Sequence, residues 1–368
     1  MCGIAGFSSY EEDYGICRGK WEEILETMNQ VQKRRGPDED GIFLDAHCGM
    51  AHVRLCILDL KRGQQPMSRH SQGRTCTICF NGEIYNMKAL RKELEAEGAI
   101  FQSDSDTEVF LVGYMLHGEN FVKRINGVFG AALWDSDKET LFLFRDRAGV
   151  KPLFYTKYRE TLVYASELKG ILAYPGMEAV ADADTLCEIF ALGPAKTYGK
   201  GVLKDIYEVL PGHYLVFHKG KIRDICYWKL ESHVQEASFE ETVEKTSWLI
   251  EDAVKLQMLS DVPVSTFLSG GVDSSLVTAI CAKELKKQGK TLRTFSFDFE
   301  GNRKYFKANR FQPSQDRPWV EKMVKFCQSE HTFLECDNIQ LLDYLYKAVD
   351  ARDLPCMADV ESLSLIHI

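Results

Sequence analysis

The hydrophobic pattern of this 368-residue chain changes period once, between residues 210 and 240. A strand shows alternate residues to one face and a helix every third or fourth, so a change of period marks a change of architecture. Before it, the chain reads as β-rich with short helices. Leu141-Phe142-Leu143-Phe144 and Thr161-Leu162-Val163-Tyr164-Ala165 have the look of strands. Ala131 to Trp134, a polar stretch from Asp135 to Glu139, and Thr140 to Phe144 predict a hairpin. Trp21 to Gln32 carries Ile24, Leu25, Met28 and Val31 at helical spacing, and Met87 to Glu97 predicts a second helix ended by Gly98. Leu210-Pro211-Gly212 is a turn signal, His213 to Trp228 reads as a closing hairpin around Gly220, and Ser232 to Glu241 turns polar and acidic. Beyond Phe239, helix (Glu240 to Leu259), strand (Val262 to Leu268), loop, helix (Ser274 to Lys287) and strand (Leu292 to Phe299) alternate, which predicts a parallel α/β sheet. Asp316 to Phe326 and His331 to Glu335 continue as helix and strand. The length suits two domains of roughly 100–200 residues each. The predicted division is 2–210, a closing hairpin and linker over 211–238, and 239–368.

Composition narrows the class. With 45 basic and 54 acidic residues the net charge is −9, so the chain lacks the basic surface a nucleic-acid partner requires. No apolar run approaches ~18 residues, so no membrane span is expected. Met1 to Phe7 has neither a basic n-region nor a long apolar core, and twelve cysteines in such a chain read as reduced thiols of a cytoplasmic protein. Cys76-Thr77-Ile78-Cys79 lies in a strand-like run with no second pair at zinc spacing, so no metal or redox role is assigned to it.

Chemistry first shows at Cys2. Removal of Met1 would leave a free α-amine, whose pKa of about 7.7–8.0 suits it to take a proton from the thiol of the same residue. Five further motifs follow in order: Arg35-Gly36-Pro37-Asp38, Arg54-Leu55, Asn81-Gly82-Glu83-Ile84-Tyr85-Asn86, Ser103-Asp104-Ser105-Asp106-Thr107-Glu108, and Arg145-Asp146-Arg147-Ala148-Gly149-Val150-Lys151-Pro152-Leu153. Ala165-Ser166-Glu167-Leu168-Lys169 extends the series. Taken alone, Asn81-Gly82 is a strong hairpin-turn signal and Asp106 suits a helix N-cap.

The ordered set resembles the class II glutamine amidotransferase domain, an N-terminal nucleophile fold. That resemblance implies an α+β, αββα glutaminase domain with Cys2 as nucleophile. Asn81 (side chain) and Gly82 (backbone N–H) would then receive the oxyanion. Arg54 would grip the glutamine α-carboxylate bidentately, and Glu83 and Asp106 would hold the α-ammonium. Leu55, Cys56, Ile57 and Leu58 complete the glutamine-binding residues that the resemblance implies.

Ser269-Gly270-Gly271-Val272-Asp273-Ser274-Ser275 lies between a predicted strand ending at Leu268 and a predicted helix. Glycines let a backbone approach phosphate, and a helix N-terminus favours anions. Asp273 can ligate Mg²⁺, which takes one or two carboxylates beside phosphate oxygens. Gly289-Lys290-Thr291 is no Walker A loop, because Glu284 stands where the leading glycine belongs. The S-G-G-x-D-S-S pattern resembles the pyrophosphate loop of ATP pyrophosphatases, an α/β parallel-sheet, adenine nucleotide α-hydrolase-like fold. ATP binding by Leu268, Ser269, Gly270, Gly271, Asp273, Ser274, Ser275 and Phe297, with Mg²⁺ at Asp273, is what this resemblance implies. Phe297 and Leu268 equally suit plain sheet core.

The two domains in this order resemble glutamine-hydrolysing asparagine synthetases. The implied substrates are glutamine, aspartate and ATP. Ammonia from glutamine would pass through an internal tunnel to β-aspartyl-AMP, giving asparagine, glutamate, AMP and pyrophosphate. Relatives commonly dimerise, which makes a homodimer an expectation. The family's second acidic glycine-rich motif, S-G-E-G/C-x-D-E, is absent from these residues, so the second domain is expected to be incomplete at its C-terminal end. Two alternatives stay open: an amidotransferase acting on another carboxylate, and a protein without synthetase activity.

Overall fold

A computed structural model of the chain describes residues 1–355 other than 72, 194, 311 and 312, so the closing stretch from Ser362 to Ile368 and the acidic segment before it lie outside the described residues. The chain divides into two compact units, Met1–Ser232 and His233–Ile368.

Among the described residues the first unit contains two six-stranded sheets, both antiparallel. The first sheet contains β1 (Gly3–Ser8), β2 (Glu39–Leu44), β3 (Cys48–Arg54), β8 (Phe154–Tyr158), β9 (Thr161–Ala165) and β10 (Tyr207–Glu208), in the order β10-β8-β9-β1-β3-β2. The second contains β4 (Met67–Ser71), β5 (Arg74–Ile84), β6 (Gly127–Asp135), β7 (Thr140–Arg145), β11 (His213–His218) and β12 (Lys221–Cys226), in the order β12-β11-β7-β6-β5-β4.

Helix α1 (Arg18–Val31) and the short α4 (Leu168–Leu172) cover the first sheet, while α3 (Asp106–His117) covers the second and α2 (Met87–Ala96) packs on α3. The inner faces meet in one core. Ile4, Met50 and Tyr164 from the first sheet pack with Cys79, Trp134, Leu143 and Phe217 from the second. The result is four layers, helices outside and sheets inside. It follows from strands buried on both faces. Every residue of β1, β3, β7 and β9 is buried. Phe7 turns outward from β1 onto Tyr14 and Trp21, and Ile4 turns inward.

The 131–144 hairpin, the helix over Met87–Ala96 and the strand Thr161–Ala165 form where the pattern predicts them. The hairpin around Gly220 also forms, with Gly220 at φ +72°. Its first strand, β11, pairs with β7, so the hairpin closes the second sheet. Helix α5 (Ala183–Leu192), which the sequence reading does not anticipate, starts at the Asp182 N-cap. Cys76 and Cys79 are buried in β5. Three residues apart in a strand, they point to opposite faces and cannot share a metal.

The second unit carries a parallel sheet in the order β13-β14-β15 (Ser265–Phe267, Arg293–Phe299, Glu330–Cys336). Helices α6 (Phe239–Gln257), α7 (Val272–Lys287), the single turn α8 (Asn302–Tyr305), α9 (Arg317–Cys327) and α10 (Asn338–Arg352) connect or flank these strands. Helix α6 opens with a capping box from Ser238 and Glu241, the signature that ends the polar linker. Among the described residues no helix is long and apolar enough to cross a membrane.

Gly6 marks where packing is tightest, since a Cβ there would strike the Gly49 carbonyl and the Tyr164 hydroxyl. Gly6→Ala is expected to destabilise the first unit by about 1–3 kcal/mol, read as an earlier urea midpoint in tryptophan fluorescence. An unchanged midpoint would show that the two strands can part without cost.

Candidate active site

Cys2 precedes the first residue of β1, and antiparallel pairing of Gly3 with Val53 brings it beside the end of β3. Its thiol receives the Leu55 N–H at 3.5 Å and lies 3.7 Å from the Leu55 carbonyl oxygen. Burial pushes the thiol above its ordinary value, partly offset by the Leu55 hydrogen bond and by the chain's amino terminus and Arg54. Burial, Arg35 and Lys151 lower the Met1 α-amine.

Asn81 and Gly82 do not form a turn. They lie inside β5 and pair with Gly130 and Phe129 of β6 in unbroken register. Strand alternation puts Asn81 and Glu83 on the face of Cys79, toward the first sheet and Cys2. Asn81 is buried, and among the described residues its Nδ2 has no hydrogen-bond partner. A buried amide donor left open in this way is available to an incoming oxygen. Gly82 is required by packing, because a Cβ would collide with the Val128 carbonyl and with Phe129.

Asp106 is the first residue of α3, whose N-cap is Ser105, not Asp106. The Asp106 carboxylate instead accepts the Ile84 N–H at 2.9 Å, tying helix to strand. Burial pushes the carboxyls of Glu83 and Asp106 above the usual carboxylate range, and the repulsion between them adds to it at Glu83. Two like acids in one buried place cannot both ionise easily.

Arg54 departs from the expected bidentate grip. Its Nη1 donates to Glu39 Oε2 at 2.7 Å, and its Nη2 donates to the Leu58 and Asp59 carbonyls at 3.0 and 2.7 Å. Both two-donor edges of a guanidinium, Nε with Nη2 and Nη1 with Nη2, need an Nη2 hydrogen, so neither stands open while the two loop carbonyls hold that nitrogen. The cross-strand pairing of Glu39 with Arg54 makes the contact direct.

Arg54, Leu55, Ile57, Leu58, Gly82, Glu83 and Asp106 line one narrow cleft with Cys2. Asn81 is buried, and Cys56 is not among the lining residues; its backbone N–H goes to Asp38. Residues to which the sequence reading gives no role stand at or near this cleft. Gln65 lines the cleft and its amide bridges Phe80 and Thr107. Lys151 lies in the loop next to Gly130, where the missing side chain leaves room. That loop is held by the Asp146 carboxylate, which accepts backbone N–H groups from Phe129, Ala148, Val150 and Lys151. The ordered Arg-Asp pair of the 145–153 motif is the signal that could have pointed to it.

In the second unit, Ser269 Oγ lies 2.9 Å from Ser274 Oγ, and Gly271 caps α7. Gly270 has φ +81° and packs against the Asp316–Val320 turn, where a Cβ would meet Trp319. Leu268, Ser269 and Phe297 line a second cleft with Phe267, Asp298, Asp316 and Arg317. Gly270, Gly271, Asp273, Ser274 and Ser275 lie on the adjoining loop and first turn rather than in the cleft wall. Asp273 is exposed in the first turn of α7. Among the described residues no group of three or more His, Cys, Asp or Glu side chains could hold a metal ion by itself.

The glutamine amidotransferase domain family matches residues 1–228, and the asparagine synthase family matches residues 245–367. Glutamine-hydrolyzing asparagine synthetase 3 of Bacillus subtilis is 44% identical over 363 residues, covering 98% of this chain and 58% of the relative. Putative glutamine-hydrolyzing asparagine synthetase 2 of Methanocaldococcus jannaschii is 33% identical over 367 residues, covering 93% of this chain and 67% of the relative. The chain belongs to the glutamine-hydrolysing asparagine synthetase family. It spans less than two thirds of the length of the B. subtilis member. A further relative, amidase chyE of Penicillium rubens, is 35% identical over 320 residues, 83% of this chain and 46% of the amidase. Within this asparagine synthetase family member, the amidotransferase match spans the whole four-layer unit, and the synthase match begins inside α6.

The Glu83–Asp106 pair gives a sign-defined expectation. Carboxyls raised in the folded state bind a proton more tightly there than in the unfolded chain, so stability is fullest at low pH and falls as pH rises through the raised values. Glu83→Gln should therefore stabilise the first unit by on the order of 1 kcal/mol at pH 8, with less gain at pH 5. Denaturation of both proteins at the two pH values checks it, and an equal gain at both would refute the pairing.

Proposed function

We propose that the first unit hydrolyses glutamine and that the second activates aspartate with ATP, so that the chain works in glutamine-dependent asparagine synthesis. The observation that carries the first half is the unpartnered Asn81 Nδ2, buried on the face of β5 turned toward Cys2.

Once Met1 is removed, the α-amine of Cys2 takes the thiol proton. A thiol raised by burial needs such a base at hand. The thiolate attacks the glutamine side-chain carbonyl carbon, and the oxyanion is received by Asn81 Nδ2 and the Gly82 N–H. The proton returns to the leaving nitrogen as the C–N bond breaks, releasing ammonia and leaving a thioester. Water then cleaves the thioester to glutamate and restores the thiol. Glu83 and Asp106 receive the α-ammonium, and Arg54 supplies positive charge for the α-carboxylate, with the Leu55–Leu58 segment as wall.

In the second unit, the Ser269–Ser275 loop with Leu268 and Phe297 is the proposed ATP site, its glycines and helix start facing phosphate. Asp273 would hold Mg²⁺. One carboxylate beside phosphate oxygens suits that ion, and the ion would neutralise phosphate charge. Activation of aspartate as an acyl-adenylate turns a poor acceptor into one with a good leaving group. Ammonia, not ammonium, must reach it, which is why a sheltered route between the two reactions belongs to the proposal. A reducing, cytoplasmic setting accords with the described cysteines, all free thiols. The P. rubens amidase among the relatives favours one second reading, in which another carboxylate replaces aspartate as acceptor.

Cys2→Ala is expected to abolish glutamate formation from glutamine, followed by coupled glutamate assay. Surviving hydrolysis would remove Cys2 as nucleophile. Asp273→Asn should cut pyrophosphate release at least tenfold, on the order expected for loss of a metal-borne charge contact, while glutamine hydrolysis continues. Undiminished release would dismiss Asp273, and release driven by an acceptor other than aspartate would decide for the second reading.

A further inference from the structure

Two motifs are left without a task by the chemistry above, Arg35-Gly36-Pro37-Asp38 and Ala165-Ser166-Glu167-Leu168-Lys169. They meet underneath Cys2. Arg35 ends a single 3-10 turn, Lys33–Arg35, after α1. Its Nε donates to the Cys2 carbonyl oxygen at 2.8 Å, and its Nη1 donates to Glu167 Oε1 at 3.0 Å. The second oxygen of Glu167, Oε2, accepts from Lys169 Nζ at 2.9 Å. The side chains of Arg35 and Glu167 are only 11% and 15% exposed, which takes this pair out of the class of weak surface ion pairs.

The segment carrying Glu167 is itself fixed to the nucleophile's strand. Strand β9 pairs with β1, and Ser166 exchanges two hydrogen bonds with Ile4. Its N–H donates to the Ile4 carbonyl at 2.8 Å, and its Oγ accepts the Ile4 N–H at 3.0 Å. Gly3 leaves the space through which Arg35 passes, since a Cβ there would come within 3.3 Å of Arg35 Cδ. Cys2 is thus held at both ends, its thiol by Leu55 and its carbonyl by Arg35.

We propose that Glu167 is a positioning residue for Cys2, acting through Arg35 to fix the Cys2 backbone and to offset the Arg35 charge beside the reacting amine and thiol. The proposal rests on the glutaminase reading for its kinetic part. A guanidinium without its carboxylate keeps its charge but loses its direction. The Cys2 backbone can then turn while Leu55 holds the thiol, which changes χ1 and so the relation between α-amine and thiol. The charge matters as well. Arg35, Lys151, Asp38 and Glu83 surround the chain's start, with Arg54 and Asp106 on the cleft side and Lys169 behind Glu167. Removing the Glu167 charge leaves this ring more positive, which favours thiolate and disfavours a protonated amine.

The test uses the full chain with Glu167→Ala and Glu167→Gln. Glutamine hydrolysis should fall roughly tenfold in kcat for Glu167→Ala, with KM held within about twofold, as for lost alignment rather than lost binding. Glu167→Gln keeps an acceptor for Arg35 and should recover most of kcat. Independently of turnover, alkylation of Cys2 by iodoacetamide, followed by peptide mapping from pH 6 to 10, should shift to lower pH in Glu167→Gln. Equal loss of kcat in both variants together with a lowered melting temperature would make Glu167 merely structural and overturn the proposal. An unmoved alkylation profile in Glu167→Gln would overturn it too. If the parent protein hydrolyses no glutamine, the functional reading fails, and the alkylation profile still decides the role of Glu167.

Discussion

Everything at the candidate site hangs from a strand that has no exposed face. β1 is enclosed by a helix on one side and a second sheet on the other, and its neighbours β3 and β9 are buried as completely. A strand so confined cannot slip, because a one-residue shift would turn Ile4 out of the inner core and Phe7 out of the aromatic cluster under α1. Fixed register is what holds the residue just before it in one place. The thiol of Cys2 is then a fixed point against which β3 sets Arg54 and Leu55, β9 sets Ser166 and Glu167, and β5 sets Asn81.

The second unit solves a different problem with less material. Its parallel strands are joined through helices, which brings a glycine loop and a helix start to the end of β13. Packing there is lighter. Cys281, Ala282 and Leu292 make a small buried cluster with Val254, Met258 and Leu285 against them, while no residue of α6 is buried. Antiparallel pairing builds the first site from strand interiors, and the parallel arrangement builds the second from a loop.

Much of this was legible in the residues, for identifiable reasons. Period changes located α1, α2, α6, α7, α9 and the 131–144 hairpin because those elements are amphipathic or flanked by turn residues. Cys2, Asn81, Gly82, Glu83 and Asp106 could be grouped only through their order along the chain and the family it resembles. Local signals misdirect at two of them. Asn-Gly is a turn pair by propensity, yet here it continues a strand, because Gly82 answers to the crowding of Val128 and Phe129 rather than to a bend. Asp106 has the composition of an N-cap, and Ser105 takes that place. What the sequence could not show is partnership across distance. That Glu39 occupies Arg54, that Gln65 bridges two elements, and that Asp146 gathers four backbone donors to set Lys151 are outcomes of tertiary approach. Glu39 and Gln65 are ordinary polar residues with no distinctive neighbours, and the motif around Asp146 does not show which backbone groups it gathers.

The acid pair at the cleft has one more implication. Burial makes both Glu83 and Asp106 reluctant to ionise, so each keeps its proton to a higher pH than an ordinary carboxyl. A cationic group brought beside them would favour the charged carboxylates and so expel a proton. On the proposed reading, uptake of glutamine's α-ammonium would therefore be accompanied by release of a proton from the protein. The heat of such an event belongs partly to whatever buffer receives the expelled proton, and the affinity of the site is tied to pH through the protein even where the ligand's own charge stays constant.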